Sequence, residues 1–353
     1  MSRKELVIGL FGFGVVGKGL LDVFEQTPGL KATIKKICVK THGKPRPLPA
    51  EHFTFEKNDI LHDAGINVVV ELIDDADAAF LIVAEAMRQG KSVVSANKKM
   101  IAEHFTELLE LQIKHNVSFL YEAAVCASIP IIRNLEEYYD NDLLVSLEGI
   151  VNGSTNYILT KTAKESLSYE AALRLAQEFG YAESNPALDV EGFDAKYKLL
   201  ILLVHSFGVV EKPEHIFNLG INKLGPLEMR YAKEKDLKIK LLASARKISD
   251  TQVAAFVMPC YVSNTNLFFV VDDVFNGVQT ETSFADKQFF MGKGAGAFPT
   301  ASAVLSDISA LSYNYKYEYK KMHQQQHSLS NNFALEVMVR FKEKNTINMD
   351  DFS

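Results

Sequence analysis

Two stretches of the chain carry residue types whose spacing suits chemistry. The first reads LFGFGVVGKG over residues 10–19. Gly12, Gly14 and Gly17 stand in G-x-G-x-x-G order, with Phe13, Val15 and Val16 between them. In such a loop the first glycine permits a tight turn and the second lets backbone approach a pyrophosphate. The third allows a helix to pack closely on a strand, and the helix N-terminus offers free N–H groups and a positive dipole. Spacing alone does not separate a dinucleotide cradle from a plain turn. Here the apolar run LVIGL precedes the glycines, amphipathic VVGKGLLDVFEQ follows, and a second strand pattern comes next, which is the context a dinucleotide site requires.

The second stretch, FGYAESNPALDVEGFDAKYKLLILLVH, packs Glu183, Asp189, Glu191 and Asp194 just ahead of a strongly apolar helix. Asp194 and Lys198 are four apart and share one helix face. Lys198 also lies near Ile201 and Leu202 on the apolar side. Desolvation and a nearby helix N-terminus lower a lysine pKa, whereas a carboxylate partner raises it. Such a lysine can act as a general acid. A purely structural i,i+4 ion pair is the other reading, and spacing leaves both open.

The elements that must hold these residues can be read from periodicity. Short apolar runs at 6–10, 33–39, 68–73, 92–95 and 117–121 alternate with helical patterns at 15–26, 77–89 and 99–115. This alternation predicts right-handed βαβ units and a doubly wound parallel sheet of α/β class. From about residue 143 the rhythm changes. LLVSLEGIV reads as a strand, and three helices follow near 155–165, 168–179 and 194–208. Strands come next at IKLLASARK, QVAAFVMPC and NLFFVV. The pattern implies a second, α+β domain. ASAVLSDISALS reads as a further helix, MHQQQHSLSNN as a linker, and FALEVMVRF as a last strand. The expected boundaries are 1–132 plus 303–325 for the first domain and 133–302 for the second. Residues 326–353 form a linker and tail.

The choice of dinucleotide turns on the loop after the second strand. An acid there would hold the ribose 2′-OH of NAD(H). The sequence instead places Lys40, Lys44 and Arg46 in that loop, with no carboxylate. Cations suit a 2′-phosphate, so NADP(H) is preferred over NAD(H), the alternative being a solvated basic loop.

With 353 residues the chain is long enough for two domains. Apolar residues make up 47% and charged residues 23%, as in soluble globular proteins. A net charge of −6 argues against nucleic acid or an anionic membrane as partner. The three cysteines, Cys38, Cys126 and Cys260, are far apart and form no zinc motif. There is no secretory core, and the apolar run at 199–210 is broken by His205, Ser206 and Gly208. A reduced, cytoplasmic protein is expected.

Seven motifs together resemble homoserine dehydrogenases: IGLFGFGVVG, VVVELI, VVSANKKMI, YEAAVCASIPII, GIVNGSTNYIL, AQEFGYAESNPALDVEGFDAKYKL and GKGAGAFPTASAV. The resemblance spans roughly residues 5 to 310. It implies a Rossmann-type domain and a second substrate and dimerisation domain. It also implies NAD(P)H-dependent reduction of L-aspartate 4-semialdehyde to L-homoserine, on the route to threonine, methionine and isoleucine, by a homodimer. Carried over, Lys198 matches the proton donor and Asp194 the acid beside it. Glu183 matches the acid that binds the substrate's amino group, and Asp189 falls on another substrate-pocket acid. Lys98 matches a lysine near the nicotinamide, Gly153 and Ser154 match substrate contacts, and Gly180 and Gly296 match cofactor contacts. Glu122, Val125, Ala127 and Ile129 match a site for a monovalent cation, Na+ or K+, made largely of backbone carbonyls. A tight turn without an ion is the alternative there.

Several positions depart from the family pattern. Asp74 and Asp75 replace glycines after VVVELI and are expected to point to solvent. Cys126, Ser128, Asn185 and the run Asn218, Leu219 and Gly220 also differ. The expected form has neither a fused kinase nor a complete C-terminal regulatory domain. Two other functions stay open: a related amino-acid oxidoreductase, and a cofactor-binding homologue of low turnover acting as subunit or sensor.

Overall fold

The computed structural model describes residues 5–141, 143–324 and 326–340. Its first half is a βαβ succession. β1 (Leu6–Phe11) leads through the glycine loop into α1 (Val15–Glu25), then β2 (Ala32–Cys38), β3 (Phe53–Thr54) and the short α2 (Asn58–Leu61). β4 (Val68–Glu71), α3 (Ala76–Arg88), β5 (Ser92–Ser95), α4 (Lys98–His115) and β6 (Phe119–Leu120) complete it. The strands form one parallel sheet in the order β3-β2-β1-β4-β5-β6. β4 is buried on both faces, which suits its unbroken apolar run Val68–Val70. The strand order reverses between β1 and β4, and their carboxyl ends open the crevice where such sheets bind ligands.

After α5 (Ile131–Glu137) the chain builds a second, mixed sheet from β7 (Leu144–Ile150) onward. Four helices follow β7: α6 (Gly153–Glu165), α7 (Tyr169–Glu178), α8 (Ala187–Val190) and α9 (Phe193–Phe207). Then come β8 (Phe217–Asn218), α10 (Pro226–Glu234), β9 (Leu237–Lys247), β10 (Gln252–Ser263), β11 (Phe275–Thr282) and β12 (Asp286–Lys293). The order is β12-β11-β7-β9-β10-β13, β13 being Ser328–Leu329, with β8 paired to β10. α11 (Ala297–Leu311) then returns to pack on α1, so closely that a Cβ on Gly19 would lie 2.9 Å from the Ala297 carbonyl oxygen. α12 (Lys320–Gln324) and the two-residue strand β13 (Ser328–Leu329) end the described elements. Both halves contribute to one contiguous apolar core, in which α9 is almost wholly buried.

Three expectations need correction. NLFFVV is not a strand. Leu267–Val270 form a single 3-10 turn, because the Asn266 side chain accepts the Phe268 N–H at 2.9 Å and Phe268 turns into the core. The hairpin β11–β12 supplies the missing strands, in a segment whose polar residues hide the alternation. FALEVMVRF forms no strand through residue 340, and position 341 lies outside the described residues. The tail instead holds by side chains, with Phe333 stacked 6.0 Å from Phe256 and Arg340 paired to Glu228 at 3.2 Å. The edge strand is β13, inside the stretch read as a linker.

Candidate active site

A cavity of about 490 Å3 opens at the reversal of strand order. Leu72, Ile73 and Asp74, past the end of β4, form part of its wall. Val16 of α1, Ala96 and Lys98, the Asn152–Ser154 turn, and Asp189, Asp194 and Lys198 complete much of the rest. It thus lies between the two sheets and is lined by loops and helices from both halves of the molecule.

The glycine loop has the shape its sequence predicts. Gly12 has φ +94°, and a Cβ there would lie 2.4 Å from the Leu72 carbonyl oxygen. A Cβ on Gly17 would lie 2.5 Å from the Gly12 oxygen. Those two glycines are required by the fold itself. At Gly14 a Cβ would meet nothing within 4 Å, so this glycine leaves open space in front of the N-terminus of α1. Such a cradle fits a dinucleotide pyrophosphate. Phe13 packs edge-on against Phe53 at 5.4 Å, Val15 is exposed, and Val16 faces the cavity.

Asp194, in the first turn of α9, gathers the charged centre. Its Oδ2 accepts from Lys198 Nζ at 2.7 Å and from Asn152 Nδ2 at 2.8 Å. Its Oδ1 lies 3.0 Å from Lys98 Nζ. Burial alone would raise the Asp194 pKa, but the two lysines outweigh it and hold the carboxyl well below the usual carboxylate range. The Asp194 charge in turn raises the Lys98 pKa, against desolvation. Lys198 Nζ also donates to the Val151 carbonyl at 2.7 Å. An ammonium has three N–H donors. Two are therefore committed, which leaves one for a group in the cavity.

Sequence reasoning misses Asn152, yet this residue organises the centre. It caps α6, accepting the Thr155 N–H at 2.8 Å, and its amide bridges Asp194 and Asp189 Oδ1, the latter at 2.7 Å. The readable signal is an Asn just ahead of a helical pattern. Burial, followed by the Asp194 charge, pushes the half-buried Asp189 upward in pKa. Gly153 and Ser154 open α6 at the cavity, and the Ser154 hydroxyl donates to the Tyr181 carbonyl. Gly180 and Gly296 also reach the lining.

Other expected residues lie elsewhere. Glu183 is exposed and outside the cavity lining, though its charge reaches Lys98. Lys40 is exposed just past β2. Arg46 folds back, donating to the Thr41 carbonyl and lying 5.0 Å over the Phe53 ring. The pair Asp74 and Asp75 divides. Asp75 caps α3, accepting the Ala78 N–H at 3.0 Å, whereas Asp74 lines the cavity rather than standing clear of it.

Glu122 is buried and spends its two carboxylate oxygens on the first N–H groups of α5, from Ile132 at 2.8 Å and Arg133 at 2.9 Å. Val125, Ala127 and Ile129 lie in a buried turn, with Cys126 and Ala127 left-handed at φ 56° and 39°. The Ile129 carbonyl already accepts from Ile131 N at 2.8 Å. Among the described residues no group of three or more His, Cys, Asp or Glu can hold a metal, so a cation here would rest on backbone oxygens.

Comparison with known proteins identifies the family and the overall fold. A family model described as the homoserine dehydrogenase NAD-binding domain matches residues 12–122, and one described as homoserine dehydrogenase matches residues 130–309. A homoserine dehydrogenase of Helicobacter pylori is 37% identical over 313 residues, covering 87% of this chain and 73% of its own. That of Bacillus subtilis is 34% identical over 322 residues, covering 89% and 74%. The crystal structure of a homoserine dehydrogenase from Thiobacillus denitrificans superposes with a TM-score of 0.85 at 31% identity, over 95% of this chain and 80% of that one. A hyperthermophilic archaeal homoserine dehydrogenase in complex with NADPH gives 0.77 at 26% identity, over 89% and 99%.

Proposed function

We propose, from the premise that this chain belongs to the homoserine dehydrogenase family, that it reduces L-aspartate 4-semialdehyde to L-homoserine with Lys198 as proton donor. The observation that carries the reading is the third N–H of Lys198, left for the cavity by an ammonium otherwise held on Asp194 and Val151. The bound nicotinamide cofactor would supply the hydride. As negative charge grows on the aldehyde oxygen, Lys198 stabilises it and transfers the proton. Asp194 holds the Lys198 ammonium aimed at the cavity, and its other oxygen pairs with Lys98, whose pKa it raises.

The substrate is an amino acid, so its ammonium needs a carboxylate and its carboxylate needs donors. Asp189 stands in the cavity wall for the first, with Glu183 further out. The opening of α6 at Gly153 and the Lys98 ammonium suit the second. Gly12, Gly14, Gly17 and Val16 would hold the cofactor, with Gly180 and Gly296 at its far side. NADPH is favoured by Lys40 and Lys44, since the loop 39–46 directly after β2 holds no acid. Asp59 does come close in space, but it is bound to the Thr54 hydroxyl. The same reading carries a monovalent cation at Glu122, Val125, Ala127 and Ile129, a homodimer formed through the second sheet, and a cytoplasmic location in keeping with three free cysteines. Among the described residues no helix is long and apolar enough to cross a membrane.

Oxidation of NADPH and of NADH by aspartate semialdehyde, with wild type beside Lys198→Ala, tests this. The variant should lose about 10²–10⁴-fold in kcat, the usual worth of a general acid, while still binding cofactor. Equal turnover would refute the proton-donor role. A second reading, a cofactor-binding subunit of low turnover, is favoured by one observation, the Asp74 carboxylate in the cavity wall. Cofactor binding without wild-type turnover would select it.

A further inference from the structure

Beneath the cavity lies a carboxylate that the reaction does not use. Glu71, the last residue of β4, is fully buried. Its Oε1 accepts the Ile73 N–H at 2.7 Å and its Oε2 accepts the Ser95 hydroxyl at 2.5 Å. Ser95 Oγ accepts the Asn97 N–H at 3.1 Å, and Asn97 Nδ2 donates to the Ile73 carbonyl at 3.1 Å. These four contacts close a ring. Asn97 also caps α4 through the Met100 N–H at 3.0 Å, and Lys98 is the first residue of that helix.

The ring therefore joins two walls of one crevice. Ile73 and Asp74 lie on one wall, and Ala96 and Lys98 on the other. Movement of the first wall would reach the glycine loop, because the Leu72 carbonyl fills the space beside Gly12. We propose that Glu71 is a positioning residue, whose ring with Ile73, Asn97 and Ser95 fixes the cofactor crevice at its working width. The proposal rests on the reading that a nicotinamide cofactor binds here, and not on the substrate assigned above.

The carboxylate also has an electrostatic consequence. β1 and β5, on either side of β4, carry no ionisable side chain. Lys98, at the start of α4, is committed to Asp194, and Asp74, beyond the turn, is the charge that bears on Glu71. Burial pushes Glu71 up to about 7 against the hydrogen bonds that favour its ionised form. Anionic phosphates arriving above it would favour the protonated form further, so binding should take up a proton near neutrality. A glutamine keeps one acceptor for Ile73 and presents an N–H to Ser95, preserving the ring without the charge.

Calorimetric titration of NADPH and NADH at pH 6, 7 and 8 into wild type, Glu71→Ala, Glu71→Gln and Ser95→Ala tests the proposal, with steady-state kinetics alongside. Glu71→Ala and Ser95→Ala should raise the cofactor Kd and KM about tenfold, on the order of 1.4 kcal/mol. Wild-type affinity should weaken from pH 6 to 8, whereas Glu71→Gln should match wild type at pH 6 and stay level. A folded Glu71→Ala that binds cofactor as wild type does at every pH overturns the proposal. If that variant does not fold, a Glu71→Gln pH slope equal to the wild-type slope overturns it. Wild type that binds neither cofactor overturns it together with the functional reading. Wild type that binds cofactor without reducing aspartate semialdehyde fails the functional reading alone.

Discussion

Lys98 and Lys198 approach opposite oxygens of one carboxylate, Asp194 Oδ1 at 3.0 Å and Oδ2 at 2.7 Å. The lysines come from different halves of the molecule, so the buried acid also ties α4 to α9. Replacing Asp194 by Asn would leave two ammonium groups facing a neutral amide. Breaking a buried pair this way costs roughly 3–5 kcal/mol. The sign with pH follows from the depressed native pKa. Asp194 contributes stability above its unfolded value of about 3.9 and loses it as pH falls toward the native value. Denaturant titrations from about pH 7 down to about pH 2 should show wild type beginning to lose that increment below about pH 4 and Asp194→Asn lacking it. The Lys98 pKa should also fall in the variant, since Asp194 is the largest influence raising it.

The glycines of the first loop should separate folding from binding. Gly12→Ala must place a methyl at φ +94° and 2.4 Å from a backbone oxygen. Strain of this kind costs about 1–3 kcal/mol or more. Gly14→Ala meets open space and should leave stability within about 0.5 kcal/mol of wild type. Its methyl enters the room kept for the pyrophosphate, and cofactor Kd should rise about tenfold. Thermal unfolding and cofactor titration on both variants check this, and a reversed pattern would refute the cradle.

Asp74 lines the cavity with its carboxylate exposed. It repels any phosphate bound there. Asp74→Asn should tighten cofactor binding about two- to fivefold at low salt, and the gain should fade as ionic strength shortens the Debye length. Titrations at low and physiological salt would show it. Weaker binding in the variant would mean that Asp74 accepts a hydrogen bond from the cofactor instead.

Lys321, on α12, is buried, and among the described residues its one hydrogen bond is to the Leu135 carbonyl, at 3.5 Å, while desolvation lowers its pKa to about 7. Between that value and an unfolded value of about 10.4, the unfolded chain holds the extra proton, so stability rises with pH. Lys321→Met should remove that rise. Below pH 7 the variant should be more stable by about 1–3 kcal/mol, the cost of an ill-satisfied buried polar group. Chemical denaturation from pH 6 to 10 measures both.

Local signals in the sequence suffice for five of the six strands of the first sheet, because buried parallel strands are unbroken apolar runs separated by amphipathic helices; the two-residue edge strand β3 is too short to carry such a run. The Asp194–Lys198 pair is readable for the same reason, since four residues on a helix fix a common face. Lys98 meeting Asp194 is beyond such reading, because it depends on α4 and α9 packing together. The Glu71 ring is hidden likewise, as its members lie on two stretches, 71–73 and 95–97, that α3 separates in the chain, and none looks unusual alone. In β11–β12 polar side chains face partners on neighbouring strands, Ser146 with Glu281 for example, and erase the two-residue period. Residues 331–340 alternate like a strand, yet side-chain contacts rather than a hydrogen-bonded ladder hold them.

The chain crosses between the two sheets three times: before β7, before α11, which seats itself against Gly19, and once more to reach β13, which pairs with β10. Neither half can therefore be exchanged as a single cut-and-paste cassette. A chimera joined near residue 140 would strip α1 of its cover unless the same parent also supplied residues 297–311. Recombination between relatives should succeed only when those two distant segments are inherited together.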